Sequence, residues 1–228
     1  MKHLPAKTRF LAAAIAGTAL ACTGTNSLAA GISFTGLSDS LGLFGSMSFD
    51  SSTGIMEFSN PTFAAEATGL SAPFDVKSDT LNVTFLADPG YKITSISFTE
   101  AGKYLRVGNG AGTYAGGSMT VNGGTAKSFV PVPASASGIG PAVETDWHVG
   151  TGSPVGPVVF AVNSSNAIVT ITNVLAAAIQ SAGDYSKIWK SDVKIEVGYA
   201  PVPLPPALWM LGSALVGLVT VGRRKAEG

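Results

Sequence analysis

Side chains that could act as acids, bases or nucleophiles are few in this chain of 228 residues, which contains two histidines and one cysteine. His148 lies in the middle of the chain, with Glu144 and Asp146 close to it in sequence. A histidine beside an acid offers a general base and a group to orient it. No nucleophile motif of a known hydrolase type accompanies the three residues. We therefore expect His148 to be an ordinary strand or turn residue, and the protein not to be an enzyme.

Metal ligands are equally sparse. The single cysteine, Cys22, lies near the N-terminus, so the rest of the chain has no thiol for catalysis or for a zinc site. Asp75, Ser78 and Asp79 offer hard oxygen atoms of the kind that calcium prefers. Their spacing is equally typical of solvated acids in a loop. The prediction is that no metal or other cofactor binds, with calcium at Asp75 and Asp79 as the alternative.

Four aromatic residues are candidates for stacking on sugar rings, provided that a face of each ring is exposed. They are Trp147, Trp189, Tyr104 and Tyr114. The competing interpretation, which we favour, places most of them in a hydrophobic core. A glycan-binding module is therefore the first alternative function. A carbohydrate-active enzyme is the second, and it would need two carboxylates that converge in a cleft.

The elements that must position these residues are short and β-rich. Glycine, serine and threonine are dense, and turn signals recur about every ten residues, which is typical of an all-β sandwich or barrel. Residues 42–50 with 54–59, and 113–121 with 125–132, predict two hairpins. Apolar and polar residues alternate at 81–85, 92–100 and 192–199, which predicts half-buried strands. We expect a turn at Asp88-Pro89-Gly90, a further strand at 104–107, a loop at 131–141 and a short helix at 173–180.

Charge narrows the choice of partners. Between residues 30 and 200 there are eight basic and thirteen acidic side chains, a net charge of −5. Nucleic acids require a basic face, so we exclude them as partners. Direct binding of this part of the chain to an anionic bilayer is disfavoured for the same reason.

The C-terminal 28 residues, 201–228, have three parts in fixed order. An apolar and uncharged run at 207–222 would cover roughly 24 Å as a helix, slightly less than a hydrocarbon core. Basic residues after it would stay on the cytoplasmic side. The proline-rich motif before the run is formed by Val202, Pro203, Leu204, Pro205 and Pro206. The basic cluster is formed by Arg223, Arg224 and Lys225.

This order of motif, apolar run and basic cluster resembles the PEP-CTERM sorting signal of Gram-negative bacteria, especially its VPLPA variant. Leu204 replaces the glutamate of the commonest form, and Pro206 is an additional proline. The resemblance implies that an exosortase, a membrane-embedded processing enzyme, cuts the tail. It also implies release or attachment at the cell surface, in an exopolysaccharide or biofilm setting. A plain C-terminal membrane anchor is the alternative.

The N-terminus agrees with export. Lys2, Lys7 and Arg9 form a basic region, an apolar run follows at 10–21, and small residues precede a cleavage site after Ala29. Signal peptidase would therefore remove residues 1–29. The alternative is lipidation at Cys22, which follows a degenerate lipobox.

The sequence as a whole predicts three segments: a signal peptide at 1–29, a single all-β body at 30–200, and a sorting tail with a transmembrane helix at 201–228. For the body we expect a β-sandwich of jelly-roll-like type. The predicted function is a structural or adhesive role outside the cell, after a transient stay in the inner membrane. The expected partners are signal peptidase, an exosortase and an exopolysaccharide.

Overall fold

The computed structural model describes residues 31–132, 135–137, 142–150 and 156–203, together with 210, 211, 213 and 214. The predicted signal peptide, the motif residues Leu204, Pro205 and Pro206, and the basic cluster Arg223, Arg224 and Lys225 lie outside the described residues. Within the described residues, no helix is long and apolar enough to cross a membrane.

The described residues form thirteen strands, so the body is all-β, as the sequence predicts. The strands are β1 (Ile32–Asp39), β2 (Ser46–Asp50), β3 (Ile55–Ser59), β4 (Ala64–Thr68), β5 (Phe74–Ala87), β6 (Tyr91–Val107), β7 (Gly112–Val121), β8 (Lys127–Val132), β9 (Ser135–Ser137), β10 (Thr145–Gly150), β11 (Val158–Ser164), β12 (Asn166–Ala178) and β13 (Tyr185–Pro201).

These strands build two antiparallel sheets. The first has the order β1-β5-β12-β7-β8, with β9 beside β7. The second has the order β10-β6-β13-β3-β2, with β11 beside β6 and β4 beside β13. β8 pairs with β7 through its first residues and with β10 through its last ones, so it passes from one sheet to the other. The long antiparallel pair β6–β13 is the centre of the second sheet.

Alternating side chains place one hydrophobic core between the inner faces of the two sheets. In β5 the predicted alternation is confirmed, because Leu81, Val83 and Phe85 are buried while the residues between them are partly exposed. β6 and β13 show the same pattern, with Ile96, Phe98, Val193, Ile195 and Val197 inside as predicted. Tyr199, also predicted to face the core, is only partly buried, after a register shift at Gly198. The core also takes up the largest aromatic side chains: Phe44, Phe58, Phe63, Phe98, Phe129 and Trp147.

Both predicted hairpins are confirmed, as β2–β3 and as β7–β8. The turn at Asp88-Pro89-Gly90 is also present. The amide of Tyr91 donates to the carbonyl oxygen of Asp88 at 3.0 Å, and Gly90 has a φ of 88°. The turn does not close a hairpin, however, because it leads from β5 in the first sheet to β6 in the second.

Three expectations need correction. The helix predicted at 173–180 is wrong, because Asn166–Ala178 is one strand that pairs with β5 on one side and β7 on the other. Two neighbouring strands supply tertiary contacts that outweigh the helix propensity of its alanines. The predicted loop at 131–141 contains the end of β8 and the short β9. The strands predicted at 92–100 and 104–107 are one continuous strand, β6.

Candidate functional site

A shallow groove on the outer face of the second sheet is the first candidate site. It has a volume of about 440 Å³ and is lined by Trp189 with Leu105, Tyr185, Lys187 and Glu144, among others. We call it the Trp189 groove. Trp189 and Lys187 lie on β13 and Leu105 on β6, at positions whose side chains point away from the core. The alternation of both strands therefore brings an indole ring, a phenol and an ammonium group to one surface, and Glu144, just before β10, adds a carboxylate.

Polar contacts hold the side chains at one end of this groove. The ammonium of Lys187 lies 3.0 Å from one oxygen of Glu66, and the hydroxyl of Tyr185 donates to the other at 3.1 Å. Lys187 also lies 5.9 Å from the centre of the Trp189 ring. The hydrogen bond with Glu66 raises the pKa of Lys187, so its charge persists at neutral pH. An indole face beside hydrogen-bonding groups is a surface on which a sugar ring can stack.

A second depression on the same face, of about 370 Å³, is lined by Thr99, Ala101, His148 and Asp192, among others. His148 and Asp192 pair with Ala101 from opposite sides. Their strands are thus two strand spacings apart, about 9–10 Å. Glu144 and Asp146 are exposed like His148, and Glu144 lies 3.4 Å from Lys103. In the part of the chain that the structure describes, no hydrogen bond or ion pair joins His148 to an acid.

The four aromatic candidates for sugar binding lie in different environments. Trp147 is fully buried, and its indole nitrogen donates to the carbonyl oxygen of Lys103 at 3.3 Å. Tyr104 is also a core residue. Neither ring has a face free for a sugar. Tyr114 is 43% exposed but lies on β7, in the other sheet. Of the four, Trp189 is the one that the fold places in a groove.

The structure does not bring the calcium candidates together. Asp75 and Asp79 are four residues apart in an extended strand, about 13 Å. Ser78 alternates to the opposite face of that strand. Asp79 is buried, and its oxygens already accept from the backbone amides of Leu41 at 3.0 Å and Leu43 at 3.1 Å. Among the described residues, no three histidine, cysteine, aspartate or glutamate side chains are grouped as metal ligands.

Sequence reasoning missed a second candidate site, which lies inside the core. Glu100, Asn173 and Lys190 are buried there together, and we call them the buried polar cluster. Lys190 forms an ion pair with Glu100, and both side chains are 0% exposed. The side-chain nitrogen of Asn173 donates to the same carboxylate oxygen, Oε2, at 2.9 Å. The alternation of side chains along the strand could have identified it, because Glu100 follows Ile96 and Phe98 at every second position on the inward face of β6.

Burial makes the ionic forms of this cluster costly. It raises the pKa of Glu100 and lowers the pKa of Lys190, and their mutual attraction opposes both shifts without cancelling them. The ammonium of Lys190 lies 4.7 Å from the ring centre of Phe63 and 5.1 Å from that of Phe44. Buried ion pairs of this kind contribute little net stability, so their presence in a core calls for another explanation.

Neither a scan against protein-family models nor a search of curated proteins finds a match for this chain. The functional argument therefore rests on the sequence pattern of residues 201–228 and on the geometry of the described residues.

Proposed function

We propose that the protein is an exported surface protein whose C-terminal tail is cut by an exosortase-type enzyme. Its body then serves outside the cell as a non-catalytic structural or adhesive domain, a β-sandwich of jelly-roll-like type. The order of proline motif, apolar run and basic cluster in residues 201–228 carries the proposal.

The geometry at the end of the body supports it. The last strand, β13, ends at Pro201, and the motif residues Val202 and Pro203 follow at once and are exposed. The amide of Val202 donates to the carbonyl oxygen of Gly90 at 2.8 Å, which holds the start of the tail against the β5–β6 turn. Prolines fix φ and remove backbone donors, so we expect the proline-rich motif to be extended and open to a protease.

Mass spectrometry of the surface-associated protein tests the proposal in a host with a matching exosortase. We expect the mature chain to end within residues 202–206 and to lack Trp209 and the basic cluster. Replacing Arg223, Arg224 and Lys225 with glutamate removes the charges that fix the orientation of the tail, so processing should fall. Peptides from 207–225 on the mature surface protein would show a plain membrane anchor instead.

Glycan binding is the second candidate, and the Trp189 groove favours it. An aromatic face, the Lys187–Glu66 pair and a hydroxyl group are gathered there on one face of a sheet. Because the body is acidic, a neutral polysaccharide fits the groove better than an acidic one. This candidate is compatible with the first, since an exported adhesive protein needs a surface that binds its matrix.

A further inference from the structure

The buried polar cluster spans the core between the two sheets. Glu100 and Lys190 come from β6 and β13 of the second sheet, and Asn173 comes from β12 of the first. A bulge at Ser191 breaks the alternation of β13, so that Lys190 on one side and Val193 on the other both point inward. The fold therefore aims an amine and a carboxamide at one carboxylate from opposite sides of the core.

The two nitrogen atoms lie close together. Because Nζ of Lys190 and Nδ2 of Asn173 both bond to Oε2 of Glu100, they are at most about 6 Å apart, which is two hydrogen-bond lengths. Cγ of Asn173 is one covalent bond from Nδ2. Within the described part of the chain, Oδ1 of Asn173 and Oε1 of Glu100 have no hydrogen-bond partner. The carboxamide thus has an oxygen still to be satisfied, next to an amine and an acid.

We propose that Lys190 and Asn173 become joined by an intramolecular isopeptide bond, with Glu100 as the proton carrier. This cross-link goes beyond the proposed function, because it concerns the body and does not depend on how the tail is processed.

The reaction is a transamidation that needs no oxidant and no other reactant. A proton first passes from the ammonium of Lys190 to Glu100, which leaves a neutral amine. Nζ then attacks Cγ of Asn173, and the new Nζ–Cγ bond forms as the C=O electrons move to Oδ1. Glu100 carries a proton from Nζ to Nδ2. The Cγ–Nδ2 bond breaks, the C=O bond re-forms, and ammonia leaves.

The groups around Lys190 and Asn173 favour the three conditions that this reaction needs: a neutral amine beside a protonated acid, the exclusion of water, and a polarised C=O bond. Burial shifts the pKa of Lys190 down and that of Glu100 up, toward the neutral amine and the protonated acid that the reaction uses. The rings of Phe44 and Phe63 lie over Nζ and keep water away from it. Turning the Asn173 amide by half a turn would place Oδ1 against the protonated Glu100, which could then polarise the C=O bond.

The product would solve two problems of this domain. A neutral amide replaces a buried ion pair, whose desolvation is costly. The body has no cysteine, so an exported protein that needs a covalent link between its sheets cannot use a disulfide. The isopeptide bond would tie β12 of the first sheet to β13 of the second.

Mass spectrometry of the folded mature protein, purified after expression of the full chain, tests the cross-link. We expect an intact mass lower by one ammonia than the mass calculated for the observed termini. A tryptic digest should contain a branched peptide that joins the segments of Asn173 and Lys190, without cleavage after Lys190. The full calculated mass would overturn the proposal. So would a lost ammonia without the branched peptide, because cyclisation of an asparagine also releases ammonia.

Variants then separate the roles of the three residues. Lys190→Met and Glu100→Gln should each restore the full mass, since one lacks the nucleophile and the other the proton carrier. Lys194→Met is the matched control, because it makes the same change on the outer face of β13 and should keep the cross-link. If Glu100→Gln still shows the branched peptide, Glu100 is not the proton carrier. If a variant does not fold, the mass of the unaltered protein still decides.

Discussion

The segment at 40–44, between β1 and β2, depends on one buried carboxylate, that of Asp79. This carboxylate is 2% exposed and accepts hydrogen bonds from three backbone amides, those of Leu41 at 3.0 Å, Leu43 at 3.1 Å and Thr80 at 2.7 Å. The hydroxyl of Ser40 also donates to it. The change Asp79→Ala removes the acceptor that the amides of Leu41 and Leu43 use, while the amide of Thr80 keeps a hydrogen bond of 3.2 Å to the hydroxyl of Ser40.

Three backbone hydrogen bonds at about 1 kcal/mol each give about 3 kcal/mol. Burial opposes ionisation of Asp79, but its contact with Asp39 and hydrogen bonds from Ser40 and the amide of Leu43 outweigh it and lower the pKa from 3.8 to about 2. The fold therefore favours the ionised form of Asp79 above pH 4, which is the form that accepts these bonds. We therefore expect Asp79→Ala to lower the free energy of unfolding by about 2–3 kcal/mol at pH 7.

The pH dependence of the free energy of unfolding provides a second test of the same prediction. The contribution of Asp79 is present above pH 3.8 and is lost as the pH falls through about 2. The pKa of Asp39 is raised from 3.8 by burial and by its contact with Asp79. Its contribution to stability therefore has the opposite pH dependence: it is present below pH 3.8 and is lost as the pH rises through the raised pKa. The gap between the unaltered protein and Asp79→Ala should narrow between pH 4 and pH 2.

Urea unfolding followed by tryptophan fluorescence measures both the loss of stability at pH 7 and its change with pH. Asp50→Ala is the control, because the exposed carboxylate of Asp50 bonds to Ser52 and Thr53 of its own turn. We expect the Asp50→Ala change to alter the free energy of unfolding only slightly. An Asp79→Ala protein as stable as the unaltered one at pH 7 would refute the reasoning, as would a gap that stays constant down to pH 2.

Two further changes probe packing and binding. Gly102→Ala should destabilise the body by about 2 kcal/mol or more, because the added Cβ would overlap the Trp189 carbonyl oxygen and the Trp147 indole. Gly183→Ala, which meets nothing within 4 Å, should be close to neutral, and equal melting temperatures for the two variants would contradict this. Trp189→Ala should weaken binding of a neutral polysaccharide about tenfold in affinity electrophoresis. Tyr114→Ala, on the other sheet, should not, and equal losses would argue against the Trp189 groove.

The sequence alone determined the class of fold and which residues of several strands face the core. Alternation at 81–85 and 192–199 reports which residues face the core, because successive side chains in a strand point to opposite faces. The turn residues Pro89 and Gly90 have fixed conformational preferences, so their turn was predictable as well. The three-part order of residues 201–228 is likewise a property of the sequence.

Only the tertiary structure decided which strands pair and what their faces meet. The sequence of residues 173–178 predicts a helix because alanine has a high helix propensity, yet pairing with β5 and β7 makes these residues a strand. Trp147 and Trp189 look alike in sequence, but one fills the core beside Gly102 and the other lines a groove. Glu100, Asn173 and Lys190 are 73 and 17 residues apart along the chain. Their contact depends on two sheets packing face to face, which no local pattern encodes.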